Sequence, residues 1–135
     1  MSLDLATAEK IVKAGIARAE EMGIKVSIAV LDDAGNLVHL SRMDGTNFLA
    51  PVIAQGKAFT AAAWRQPSGD VEKRGLQRPA FWSSVATASQ GRAVIGKGAL
   101  PIFIDGKTVG AAGASGGTSD EDEEVVRVGV AAIGG

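Results

Sequence analysis

Apolar residues recur every three or four positions from Leu3 to Met22, at Leu5, Ala8, Ile11, Val12, Ile16 and Ala19. That spacing predicts a helix with one apolar side. Glu9 and Lys13 lie one turn apart and can pair weakly. Gly23 is placed to stop the helix, because glycine takes a left-handed cap conformation without a steric penalty. The period then changes. In KVSIAVLDDAGNLVHLSRMD, Val26, Ile28 and Val30 alternate with Ser27, Ala29 and Leu31. Both sets are largely apolar, so this strand is expected to be covered on both faces. Asp33-Ala34-Gly35-Asn36 has turn chemistry, and Leu37 to Arg42 returns as the second strand of a hairpin. By alternation, His39 should face the opposite side of the sheet from Val38 and Leu40.

Helical spacing resumes in TNFLAPVIAQGKAFTAAAW. Thr46 or Asn47 can cap this helix, and Pro51 is tolerated in its first turn. Val52, Ile53, Phe59 and Ala63 form its apolar side, and it should end near Trp64 or Arg65. Gly56 and the alanine run admit another backbone closely. Gln66 to Leu100 has little periodicity. PSGDVEKRGLQ reads as a short helix capped by Ser68, and RPAFWSSVATASQGRAVIGKGAL reads as mostly irregular. A long irregular segment is often functional; Phe81 and Trp82 should pin it to the body or to a neighbouring subunit. LPIFIDGKTVGAAGAS is a second hairpin, turned at Asp105-Gly106, with Gly110 and Gly113 marking close approach of backbone or ligand. A last helix should run from about Ser119 to Ile133. The order is helix, hairpin, helix, short helix with loop, hairpin, helix. It predicts one α/β domain over residues 1–135, an antiparallel sheet covered by helices in two or three layers.

Composition narrows the function. The chain has 135 residues and a formal net charge of −1, which offers no electrostatic footprint for nucleic acid or an anionic membrane. It has no cysteine and one histidine, which excludes thiolate catalysis, disulfides, Cys-ligated metals and multi-His centres. No apolar run has membrane-spanning or signal-peptide length, so the expectation is a cytoplasmic protein. Aromatics are only 4%. A core of alanine, valine, isoleucine and glycine buries modest area per residue at roughly 25 cal/mol per Å², which favours a homo-oligomer that buries more.

The stretch GAAGASGGTSDEDEEVVRVGVAAI places a glycine run before a helix. Such a run can cradle a phosphate. Here Asp120 to Glu124 already occupy the first turn, and Thr118 with Glu121 or Ser119 with Asp122 can form a capping box. The positive helix end is thereby satisfied from within. The same acids do not form a cation cage, because consecutive helical residues radiate from the axis.

Lys57 lies among Ile53, Ala54, Thr60 and Ala61, an apolar neighbourhood for a lysine. A buried lysine could serve as a base or Schiff-base nucleophile. Alternatively its stem carries the amine to solvent, or it pairs with Asp44. Arg42 and Asp44 follow the second strand; they pair with each other, or Arg42 clamps a carboxylate. Ser115 and the backbone from Gly113 to Gly117, Gly116 included, are candidates to line the same mouth.

Four segments in order resemble one family. GASGGTSDEDEEVVRVGVAAI is similar to the C-terminal signature of the GlcG/HbpS-like proteins, which are also related to the C-terminal domain of PduO-type cobalamin adenosyltransferases. IAVLDDAGNLVHLSRMDG resembles their central hairpin, IAQGKAFTAAAW their I-A-x-x-K-A-x-T-A helix, and LPIFIDGKTVGAAGASG their G-rich strand pair. One departure is Gly98-Ala99-Leu100-Pro101, where the family usually has Gly-Gly before the proline. The resemblance implies a profilin-like fold with a five-stranded antiparallel sheet flanked by helices. It implies oligomers from dimer to octamer, and binding of haem or a related tetrapyrrole. An axial ligand needs a side chain such as His, Cys, Met or Tyr, which leaves His39, Met1, Met22 and Met43. The alternative is a small cofactor-independent isomerase, tautomerase or lyase acting on an organic acid, with Lys57 as base and Arg42 as carboxylate anchor.

Overall fold

The described part of the computed structural model, residues 2–134, runs α1 (Leu5–Met22), β1 (Ser27–Asp32), β2 (Leu37–Arg42), α2 (Ala50–Trp64), α3 (Ser68–Gln77), α4 (Pro79–Ala88), β3 (Ala99–Ile104), β4 (Lys107–Ser115) and α5 (Ser119–Ala131). Each long helix has a local cause for its start. The Asp4 carboxylate accepts from the Thr7 N–H at 2.8 Å and caps α1, which Gly23 ends with φ of 70°. Asn47 Oδ1 accepts from the N–H groups of Leu49 and Ala50 ahead of α2. The Thr46 hydroxyl turns back to the Met43 carbonyl, so of the two expected caps Asn47 acts. Thr118 and Glu121 form the capping box of α5.

The strands form one antiparallel sheet in the order β2-β1-β4-β3. Four strands are present among the described residues, not the five the resemblance implied. The two period-2 hairpins account for all of them, and the chain between the hairpins is helical. The stretch expected to be irregular contains α4. Only Trp82 of α4 is buried, so no apolar period advertised it. Trp82 stacks at 4.8 Å from Trp64 and 5.2 Å from Phe81, which pins α4 to the end of α2. Ser68 does not cap α3 with its side chain; its hydroxyl accepts from the Ala99 N–H at 2.9 Å and stitches α3 to β3.

Three layers result. On one face Ala54, Ala58 and Ala61 of α2 pack on Ala29, Leu31 and Ala111. On the other face Ile11 and Val12 of α1 and Val125 and Val126 of α5 pack on Ile28, Val30 and Ile102. Small side chains bring α2 unusually near the sheet. A Cβ at Gly113 would lie 2.6 Å from the Ala54 carbonyl oxygen. Glycine at that place is therefore a packing requirement.

His39 faces away from Leu40 as expected, and a β-bulge corrects the expected direction of Val38. Val30 pairs with His39, but Leu31 pairs with Leu37, leaving Val38 as the extra residue. Val38 packs into the core on the α1 face, His39 lines a groove with α1, and Leu40 turns to α2. Strict alternation put Val38 and His39 on opposite faces; the inserted residue puts both on one. Among the described residues no helix is long and apolar enough to cross a membrane.

Candidate functional site

Most of the singled-out residues meet at one end of the sheet. Ser27 of β1 pairs with Arg42 on one side and with Ser115 on the other, so the three stand in one row. Arg42 is exposed and donates to the Thr46 carbonyl at 2.5 Å. Asp44 is exposed in the turn after β2, and the two form no ion pair among the described residues. Gly116 has φ of 140°, and a Cβ there would lie 2.3 Å from the Lys25 carbonyl oxygen. It walls a 630 Å³ groove together with Lys25, Thr46, Asn47, Gly117 and Glu121.

Lys57 lies behind that wall. It reaches from α2 across the end of the sheet and donates to Asp122 Oδ2 on α5 and to the Ala114 carbonyl, both at 3.1 Å. The other Asp122 oxygen accepts from the Gly117 N–H at 2.9 Å. Lys57 is 7% exposed and Asp122 2%. Burial pushes the Asp122 carboxyl above its ordinary value, against the pull of the Lys57 ammonium and the Gly117 N–H. The partner of Lys57 is thus Asp122, not Asp44, and its amine is neither exposed nor free. Gly98 completes the enclosure, since a Cβ there would come within 2.9 Å of Lys57 Nζ.

Asp122 is the residue that the sequence reading missed in this role. Three of its neighbours in the acidic run are engaged elsewhere: Asp120 pairs with Lys97, Glu121 caps the helix, and Glu124 pairs with Arg18 and Arg127. Asp122 alone shares the helical spacing of Val125, Val126 and Gly129, all buried on α5. That spacing was a usable signal for a buried acid.

His39 stands apart from this cluster. It lines a 390 Å³ groove between α1 and β2, with Val12, Lys13, Ile16, Ala17 and Ser41 among the walls. Its Nδ1 is buried and has no hydrogen-bond partner among the described residues. An unmet buried polar atom costs about 1–3 kcal/mol. The other side chains of ligand type are engaged. Met43 Sδ accepts from the Val26 N–H at 3.4 Å, and Met22 packs against the core. Met1 lies outside the described residues.

The chain as a whole is similar to known proteins. The family model described as haem degrading protein HbpS-like matches residues 3–131. Protein GlcG of Escherichia coli K12 is 38% identical over 109 residues, covering 80% of this chain and 77% of GlcG. A crystal structure of a double mutant of HbpS from Streptomyces reticuli has a TM-score of 0.88 and 32% identity, covering 100% of this chain and 89% of that one. The crystal structure of a PduOC:heme complex shares the fold, with a TM-score of 0.87 at 23% identity over 98% of this chain and 96% of the other.

Proposed function

This chain belongs to the HbpS-like family, and from that premise we propose that it binds haem or a closely related tetrapyrrole in the groove beside His39. The observation that carries the proposal is that His39, a residue able to ligate iron, lines an open groove walled by Val12, Ile16 and Ala17. The groove supports the same reading. Its 390 Å³ lies within the usual span for ligand sites of about 300–1,000 Å³. Val12, Ile16 and Ala17 give it apolar walls, and the Lys13 ammonium could meet a propionate. Glu9 and Glu20 at its ends favour an orientation that keeps the second propionate in water. Bound there, such a group would supply ligand-exchange and one-electron chemistry at its iron. His39 would hold it, and Val12 and Ile16 would exclude water. The solved relative named as a heme complex supports this ligand class through likeness of fold.

Self-association is part of the same proposal. Phe48 is 88% exposed and Leu76 79%, large apolar side chains of the kind that an interface between copies would cover. The organic-acid enzyme finds less support, because Lys57 holds two acceptors and is shut in behind the glycine turn.

The test is a haemin titration of wild type and His39→Ala, followed by the Soret band, with circular dichroism as the check on folding. A saturable, stoichiometric shift that the variant loses supports the proposal. A shift retained by the folded variant removes His39 as ligand, and no saturable shift in wild type removes tetrapyrrole binding.

A further inference from the structure

On the opposite face of the sheet from His39, a second and smaller cleft is lined by Leu31, Leu37, Val52, Gln55, Phe59 and Arg92. We propose that it is a separate binding site for a small monocarboxylate with a compact apolar tail.

The cation of this cleft is held in place before any ligand arrives. Arg92 Nη2 donates to the Gly35 carbonyl in the β1–β2 turn, and the guanidinium lies 4.4 Å over the Phe59 ring. Stacking and one carbonyl fix the plane of the fork. Nε and Nη1 have no protein partner among the described residues, and Arg92 forms no ion pair there. Asp32, at the base of the same turn, has its carboxylate engaged by Ala34 and Asn36. Burial raises the Asp32 carboxyl, but those hydrogen bonds outweigh it and hold the group below its ordinary value. A fixed, unpaired guanidinium suits a planar carboxylate.

The chain bends to make this arrangement. Gln90 and Gly91 take consecutive positive φ values of 58° and 78° after α4, which returns the backbone toward α2. Glycine at position 56 lets Val94 approach, since a Cβ there would lie 2.1 Å from Val94 Cγ2, and the Val94 N–H donates to the Gly56 carbonyl at 3.3 Å. Gln90 and Gly91 are the helix stop of α4: the Gln90 N–H donates to the Thr87 carbonyl and the Gly91 N–H to the Ala86 carbonyl.

Size and lining set the ligand class. The cleft holds 170 Å³. A cavity of roughly 150 Å³ admits benzene, so a tail of a few carbons fills the inner part of this half-open cleft. Leu31, Leu37, Val52 and Phe59 supply apolar contact. Gln55 donates its Nε2 to the Pro51 carbonyl at 3.1 Å, which leaves Oε1 as acceptor for a hydroxyl on the tail.

The probe is 3-methylbutanoate, titrated into isotope-labelled protein and followed by amide NMR, with 3-methylbutanamide as the uncharged isostere. The expected result is saturable shifts at Gly35, Phe59 and Gln90 to Arg92, and binding of the amide weaker by about tenfold or more. Arg92→Gln should weaken the acid similarly while leaving the haemin titration unchanged, so this site and the His39 groove succeed or fail separately. Equal binding of acid and amide, shifts confined to other residues, or no saturation overturns the proposal. If Arg92→Gln fails to fold, the comparison of acid with amide on wild type decides.

Discussion

Lys57 Nζ and Asp122 Oδ2 lie 3.1 Å apart, 65 residues apart in the chain, and join the two helical layers around the end of the sheet. Neither side chain has an alternative partner in water. Removing one charge strands the other in the interior, which costs about 3–5 kcal/mol. Asp122→Asn should therefore lose about that much in urea unfolding. Lys57→Met combined with Asp122→Leu should recover most of the loss, because the double variant leaves no orphaned charge. A single variant with unchanged stability would show that the pair does not join the layers.

Gly113 predicts a second, sharper cost. A Cβ there meets the Ala54 carbonyl at 2.6 Å and the Ala58 nitrogen at 3.0 Å, both backbone atoms that cannot rotate away. Gly113→Ala should cost about 1–3 kcal/mol by overpacking. The β3–β4 turn offers a contrast. Gly106→Ala meets nothing within 4 Å but must hold φ of 77°, so its cost is about 1–2 kcal/mol of backbone strain. Chemical denaturation of the two variants ranks them.

His39→Leu should raise stability by up to about 1 kcal/mol while abolishing haemin binding. The substitution removes a buried nitrogen that has no partner and keeps apolar bulk in its place. Thermal unfolding of the haem-free proteins measures the first effect. A clear loss of stability would mean that His39 serves the fold.

The acid limb of stability follows from groups held below their ordinary values. Glu124, ordinarily near 4.5, is lowered chiefly by its hydrogen bond from Arg127, with Arg18 adding to it. Asp32, ordinarily near 3.8, is lowered by Asn36 and Ala34 against the effect of burial. In each case the unfolded chain binds the proton more readily. Their contributions are therefore complete above the ordinary values and are lost as pH falls through the lowered ones. Asp122 acts oppositely: its raised value makes its contribution shrink as pH climbs from 3.8 through the folded value. Urea midpoints measured from neutral to acid pH should fall for wild type and fall less steeply for Asp32→Asn. Equal slopes would remove Asp32 from that limb.

Much of the architecture was readable from short stretches. The first helix and its glycine stop, both hairpins, the helix that carries Lys57 and the capped final helix all rest on contacts within a few residues. Four motifs in order pointed to the family that the comparisons found. The helix at Pro79–Ala88 was not readable, because a helix that buries only Trp82 has no apolar stripe to display. The cleft was not readable either. Arg92 meets the Gly35 carbonyl 57 residues away, and nothing near Arg92 in the chain announces Phe59 beneath it.

The sequence by itself determined the local elements, the absence of thiol and multi-histidine chemistry, and the family resemblance, because periodicity, capping and composition are short-range or additive properties. Tertiary structure decided which of five neighbouring acids is buried against Lys57, which way Val38 faces, and where an unpaired guanidinium comes to rest. Each of these depends on register and on contacts between distant segments. One extra residue in β2 reverses a side chain, and one closed layer turns an apolar lysine into half of a buried pair.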